Sequence, residues 1–334
     1  MAKTTIREVA ERAGVSIATV SNVLTGRKMV TAELTQRVTD AARSLNYQVD
    51  RAASQLRSGK TQVIGVLVPN FNDTFFTSLV SRIESLAAAE NYQVVVVSAQ
   101  DDAVVEAARL EALMGWRPSG IIAVPATNAV PELLGREVGA LPIILVDRVG
   151  QDDLGFDTVT VDNHAAGWEA AQYLLENGHT SVAIASSISE FRPIRERIRG
   201  VTDNCVGRNI AAPQVIEAGI DHERGADILC DWLDANPHPT AIVATTNVTT
   251  LAALSALARR GLEIPDAISL IGFDDYAWMT ARKVPLTAVR QPIEEIADRA
   301  WEHLMLRIRG GAAGVENIVL KASLQVRNSV ATLA

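Results

Sequence analysis

A chain of 334 residues, 48% hydrophobic and 21% charged, has room for two or three packed domains and is too apolar to stay disordered. Aromatic residues make up only 4%, so the core has to be built from Val, Ile, Leu and Ala. The net charge of −8 is uneven: residues 1–60 hold ten Lys/Arg against five Asp/Glu, which is +5 and leaves −13 for the rest. A basic head on an acidic body fits a nucleic-acid partner at one end only. No apolar run reaches the roughly 18 residues of a membrane span. The start, MAKTTIREVAERAG, is amphipathic and lacks a signal peptide's apolar stretch, so a cytoplasmic protein is expected. Cys205 and Cys230 show no CxxC or zinc-ligand spacing and read as buried thiols.

Residues 5–24, TIREVAERAGVSIATVSNVL, predict two short helices around a tight turn. Thr5 and Glu8 form a capping box. Ile6, Val9, Ala10 and Ala13 share one helical face, and Gly14 supplies the left-handed stop. Ser16 caps the second helix, with Val15 stapled onto Val20. Val20, Val23 and Leu24 then face inward, and Ala18, Ser21 and Asn22 outward. Such a pair reads as a helix-turn-helix whose second helix enters the DNA major groove; an ordinary antiparallel helix pair is the other reading of this stretch alone. After a polar loop at Gly26, Thr31 can cap a third helix with the apolar stripe Leu34, Val38, Ala41, Ala42 and Leu45. The segment from Asp50 to Gly59 has a helix start, two arginines and a glycine stop, but is too short to be helical without a packing partner. On its own it reads as a charged linker.

From Thr61 the pattern changes. VIGVLV (63–68), bounded by Pro69-Asn70, suits a strand buried on both faces. Helices are predicted around 75–89, 103–114 and 130–138, alternating with the apolar runs YQVVVVSA, GIIAVPA and PIILVD. The alternation restarts at TVTVDN, with helices around 163–176, 194–207, 222–235 and 248–260 between further short strands. VPLTAVRQP, a helix at 293–309 and a last strand at 317–326 complete it. Two doubly wound parallel α/β units of similar size follow, with the crevice between them as the natural ligand site. There is no G-x-G-x-x-G loop, Walker A loop or nucleophile elbow, and the five histidines (His164, His179, His222, His238, His303) lack metal-ligand spacing. A non-enzyme without cofactor or metal is therefore expected. The body alone would permit a transport solute-binding protein; the basic head argues against it.

The motifs IxxVAxxAGVS (6–16), TVSxVL (19–24), LNY (45–47), AxxL (53–56), IGVLVPN (64–70), Phe75-Phe76, VDR (146–148), NGH (177–179), GFDD (272–275) and LTAVRQP (286–292) run in order along the chain. Together they resemble the lactose-repressor (LacI/GalR) family of bacterial transcription regulators. The resemblance implies a three-helix DNA-binding head (1–48), a hinge helix (49–60) and an effector-binding and dimerisation core (61–334). That core would have two periplasmic-binding-protein-like subdomains, about 61–161 plus 292–323 and about 162–291 plus 324–334. It implies a homodimeric repressor on pseudo-palindromic double-stranded operator DNA, nucleoid-associated when bound, serving a carbohydrate-use operon and controlled by a small sugar-like effector. A co-repressor, or a phosphorylated or acidic sugar, is the alternative. Few residues follow the last expected strand, so no heptad tail for a tetramer is expected.

The same resemblance assigns site residues. Thr5, Ser16, Ile17, Ala18, Thr19, Ser21 and Asn22 face DNA. Ile17 and Ala18 suit thymine methyls and Asn22 a base edge, while Thr19 and Ser21 suit phosphates. Leu56, with Ala53 beside it, would wedge into the minor groove and bend the duplex; here Val49 and Asp50 replace the family's proline and asparagine. For the effector it points to Asn72, Phe75, Phe76, Asp147, Arg148, Arg197, Asn247 and Asp274. Phenyl faces stack on C–H groups, and Asp and Arg pair with vicinal hydroxyls. Taken alone, Phe75 or Phe76 reads as core, and Arg197 as one of a solvated run with Arg192, Arg195 and Arg199. Two positions depart from the family: Thr246-Asn247 stands for an Asn-Asp pair, and Ile220 for an aromatic.

Overall fold

The computed structural model describes residues 4–25 (Thr25 as backbone), 30–47, 61–150, 155–311 and 314–333. Two compact units emerge, Met1–Thr61 and Gln62–Ala334. The expected hinge, with Ala53 and Leu56, lies outside the described residues.

In the first unit, α1 (Ile6–Ala13), α2 (Ile17–Thr25) and α3 (Ala32–Ser44) enclose Val9, Ala10, Ala13, Val20, Val38, Ala41 and Ala42. Local chemistry sets each boundary. Thr5 N donates to Glu8 Oε2 at 2.6 Å, and Thr5 Oγ1 accepts from Glu8 N at 3.4 Å, closing the capping box. Gly14 takes φ +64°, and a Cβ there would stand 2.9 Å from Arg37 Nη2. That nitrogen donates to the Ala13 carbonyl at 2.6 Å, so α3 ties off the end of α1. Ser16 Oγ accepts from Thr19 N at 3.1 Å at the start of α2. Thr31 departs from expectation. It occupies the N-cap position of α3, but its side chain makes no cap bond, and burial of Val38, Ala41 and Ala42 holds that helix instead.

The second unit has two lobes. In the first, β1 (Val63–Val68), β2 (Gln93–Ser98), β3 (Gly120–Ala123), β4 (Ile143–Val146), β5 (Asp157–Val161) and β11 (Asn317–Leu320) form an all-parallel sheet in the order β11-β5-β4-β3-β1-β2. One face is covered by α4 (Thr74–Ala89) and α12 (Ile293–Ile308), the other by α5 (Ala103–Met114) and α6 (Glu132–Arg136). In the second lobe, β6 (Val182–Ser186), β7 (Gln214–Glu217), β8 (Ala241–Ala244), β9 (Ser269–Phe273), β10 (Thr287–Arg290) and β12 (Ser323–Gln325) order as β12-β10-β9-β8-β6-β7. There α7 (Asn163–Glu176) and α8 (Arg192–Gly207) cover one face. The other is covered by α9 (His222–Ala235), α10 (Asn247–Arg259) and the short α11 (Ala277–Thr280). The central strands are buried throughout, as their unbroken apolar runs require. No helix among the described residues is long and apolar enough to cross a membrane.

The chain passes between lobes three times: after β5, after β10 and between β11 and β12. The last passage corrects the expected single strand at 317–326. β11 pairs parallel with β5, and two residues later β12 pairs antiparallel with β10. Ala322, between them, is small enough to pack against a core of each lobe.

A polar cleft at the strand ends

The cleft between the lobes opens at the carboxyl ends of the parallel strands, where side chains from many segments converge. It encloses about 730 Å3, counted out to its solvent mouth. The turns leaving the strands are strained. Gln100 and Asp101 after β2, Asp147 after β4, and Asp274 and Asp275 after β9 all have positive φ. Aspartate enters this region more readily than branched residues, at about 1–3 kcal/mol each. Three of these carboxylates (Asp101, Asp147, Asp274) line the cleft.

On the first-lobe wall, Asn70 Oδ1 accepts from the backbone N–H groups of Asn72 and Asp73, both at 2.9 Å. Its Nδ2 donates to Asp101 at 2.7 Å. Asp101 in turn accepts from Arg148 Nη1 at 3.0 Å, and Arg148 also donates to the Ala126 carbonyl at 2.9 Å. The Arg148 guanidinium lies 4.0 Å from the ring centre of Phe191, on the opposite lobe, and 5.4 Å from that of Phe76.

On the second-lobe wall, buried Arg197 donates to Asn163 Oδ1 at 2.8 Å and to the Thr245 carbonyl at 2.7 Å, over the Phe273 ring at 3.8 Å. Close helix contact puts it there. A Cβ on Gly167 of α7 would meet the Arg197 carbonyl oxygen at 2.1 Å, and one on Gly200 of α8 would meet that of His164 at 2.1 Å. Asp274 accepts from Asn247 N at 3.0 Å and from Gln291 Nε2 at 2.6 Å. The lobes also touch directly. Asn247 Nδ2 donates to Asp73 Oδ1 at 2.7 Å. At the rim Asn128 donates to the Glu190 carbonyl at 2.6 Å and accepts from Arg192 N at 2.8 Å.

Burial, reinforced by the neighbouring Asp73, pushes the Asp274 carboxyl up to about 6, although Arg197, Gln291 and Asn247 pull the other way. Burial also raises Asp147 against the pull of Arg197 and Arg148. It lowers Arg197, whose charge Asp274, Asp147 and Asp73 sustain.

Of the eight effector residues expected, Asn72, Phe75, Phe76, Asp147, Arg148, Arg197 and Asp274 line this cleft. Asn72 is exposed at the mouth. Phe75 and Phe76, 4% and 3% exposed, serve as cleft wall and first-lobe core at once. Asn247 sits behind the lining, holding Asp274 and Asp73. Of the four arginines at 192–199 only Arg197 lines the cleft; Arg192 bridges the rim and Arg199 pairs with Glu196. Sequence reasoning missed Asp73, Asp101, Phe191 and Gln291. In the head, Thr5, Ser16, Ile17 and Ala18 are exposed, Ile17 by 41%, and Thr19, Ser21 and Asn22 are half-buried. They cluster at the N-termini of the first two helices and on the outer side of α2.

A helix-turn-helix unit and a two-lobed unit with a polar cleft define a class of ligand-responsive DNA-binding proteins. The chain belongs to the LacI family of bacterial regulatory proteins. Residues 5–50 match that family's regulatory domain, and residues 61–326 match "periplasmic binding proteins and sugar binding domain of LacI family". The chain is 30% identical to the HTH-type transcriptional regulator DegA of Bacillus subtilis over 99% of both chains. It is 28% identical to the HTH-type transcriptional repressor PurR of Vibrio campbellii over 98% of this chain and 99% of that one. In structure it is similar to the lac repressor dimer bound to operator and the anti-inducer ONPF, with TM-score 0.88, 24% identity and full coverage of both. It is a DNA-binding transcriptional regulator.

Proposed function

We propose that this regulator is a homodimeric repressor of a carbohydrate-use operon, released from or directed to a pseudo-palindromic operator by a sugar-like effector in the cleft. The observation that carries this reading is the paired placement of Arg197 and Asp274. Both are buried, on separate segments of one lobe, at a cleft whose walls belong to both lobes. An effector held there has different contacts when the lobes change angle, and only such a difference shifts the operator-bound population. The outer face of α2 reads bases through Ile17, Ala18 and Asn22.

A thermal-shift screen of sugars, followed by operator gel shifts with each hit, tests the reading, because a ligand that binds only the native state raises apparent stability. Arg197→Ala should keep operator binding without effector and lose the response to it, with affinity down about ten- to hundredfold by calorimetry. An unaltered response would place the effector elsewhere. Whether the wild type leaves or joins operator on adding the hit separates inducer from co-repressor.

A further inference from the structure

The cleft has an unequal charge inventory. Asp73, Asp101, Asp147 and Asp274 line it, against Arg148 and Arg197, and no other charged residue lines it among those described. The two guanidiniums are largely engaged already. Arg148 is bound to Asp101 and the Ala126 carbonyl between two phenyl rings, and Arg197 to Asn163 and the Thr245 carbonyl on a third. Each keeps an N–H for a ligand hydroxyl, but two positive charges face four negative ones.

The hydrogen-bonding inventory leans the same way. Gln291, 4% exposed, lines the cleft; its Nε2 donates to Asp274, while its Oε1 is buried and accepts no bond. An acceptor sealed from water without a donor costs about 1–3 kcal/mol until a donor arrives. The Asp147 carboxylate, just past the end of β4 at a positive φ, receives no hydrogen bond from the described residues. Burial already disfavours its charge, as it does that of Asp274. A ligand that donates hydrogen bonds, or carries positive charge, relieves both carboxylates together. A phosphate or carboxylate brings only acceptors and adds charge of the same sign.

Resting on the effector reading above, we infer that this cleft selects hydroxyl- or amine-rich ligands, uncharged or cationic polyols, and turns away phosphorylated and carboxylated sugars. The acceptors responsible are Asp147 and Asp274. This decides against the phosphorylated or acidic sugar named above as the alternative effector.

The test uses the full chain with skeleton-matched sets: glucose, glucosamine, glucose 6-phosphate and glucuronate, and the same four forms of galactose and mannose. Thermal shift finds the skeletons that bind, and calorimetry ranks each set. The neutral or amino form should bind at least about tenfold more tightly than its phosphate or carboxylate. An anionic form that binds as tightly as its neutral parent overturns the inference and leaves the effector site standing. Silence from every member overturns the sugar reading of the cleft, and the inference with it. Asp147→Asn, which keeps the shape and removes one charge, should narrow the amine-to-phosphate ratio about tenfold. An unchanged ratio, with melting temperature intact, overturns the assignment to Asp147.

Discussion

At the scale of single residues, the site holds its charges against the preference of its surroundings. Asp274 has a folded-state pKa of about 6 against an ordinary 3.8, raised by burial and Asp73. The sign follows: folding is favoured relative to the ionised form below the ordinary value, and that advantage is lost as pH rises through 6. The full cost at neutral pH is about 3 kcal/mol. Asp274→Asn should therefore melt higher than wild type above pH 6 and lose its lead near pH 4. Its carbonyl can still accept from Asn247 N, and its amide can donate to Gln291 Oε1 once that side chain turns over. Paired melting curves from pH 4 to 8 check this, with Asp73, Asp147, Arg197 and Tyr276 as the neighbouring titratable groups. The stabilised variant should respond poorly to effector, since stability and function compete at such sites. In the head, Asn22→Ala should relax base preference at one position of each half-site by about 1–3 kcal/mol. Equal weakening on every sequence in a selection experiment would make Asn22 a phosphate-positioning residue.

At the scale of elements, the contact between α7 and α8 decides where Arg197 sits. A methyl on Gly200 would stand 2.1 Å from the His164 carbonyl oxygen and 2.8 Å from Trp168 N, and backbone atoms cannot step aside. Gly200→Ala should separate the helices, cost about 1–3 kcal/mol in denaturant unfolding and weaken effector binding. Gly207→Ala, on the same helix with nothing within 4 Å of the added methyl, should be neutral or stabilise by about 0.5–1 kcal/mol. These elements also show what the sequence makes legible. The buried strands read as apolar runs, and the helix expected around 222–235 is α9, His222–Ala235, with Asp221 accepting from Arg224 N at its start. Local signals fail where the partner is remote. Asp73 is the N-cap of α4, accepting from Phe75 N at 2.9 Å; its bond to Asn247, 174 residues away, leaves no local mark. The local pattern of 317–326 does not show its division between two sheets, because β5 and β10, not the segment itself, impose it; only the family resemblance puts a lobe boundary inside it. The shorter span of α6, Glu132–Arg136 against an expected 130–138, and the four-residue α11 lie below the length at which periodicity can be read.

At the scale of the two-lobed unit, the rim contacts hold the lobes at one angle. Asn128 reaches across with both ends of its amide, and Arg192 Nη1 adds a bond to the Val149 carbonyl at 3.1 Å. Asn128→Ala removes two hydrogen bonds worth about 1–3 kcal/mol together. It should enlarge the radius of gyration in solution scattering without effector and lower apparent effector affinity. Identical scattering from variant and wild type would leave the rim no part in closure. The three passages between lobes carry a further consequence, for the order in which a ribosome delivers the parts. Five strands of the first lobe's sheet and α4 leave the ribosome early, yet Ile296, Ala300, Trp301 and Leu304, which complete their core, lie in α12, beyond all of the second lobe but its edge strand. β11 then pairs Ile318 with Val159 across more than 150 residues of chain. The second lobe, by contrast, has its helices and all but its edge strand in one stretch from Asn163 to Arg290. The lobe begun first thus waits for α12 and β11 until all of the second lobe but its edge strand has been made. While the intervening chain is being made, its apolar face waits uncovered, and that interval is when the nascent protein most needs a chaperone.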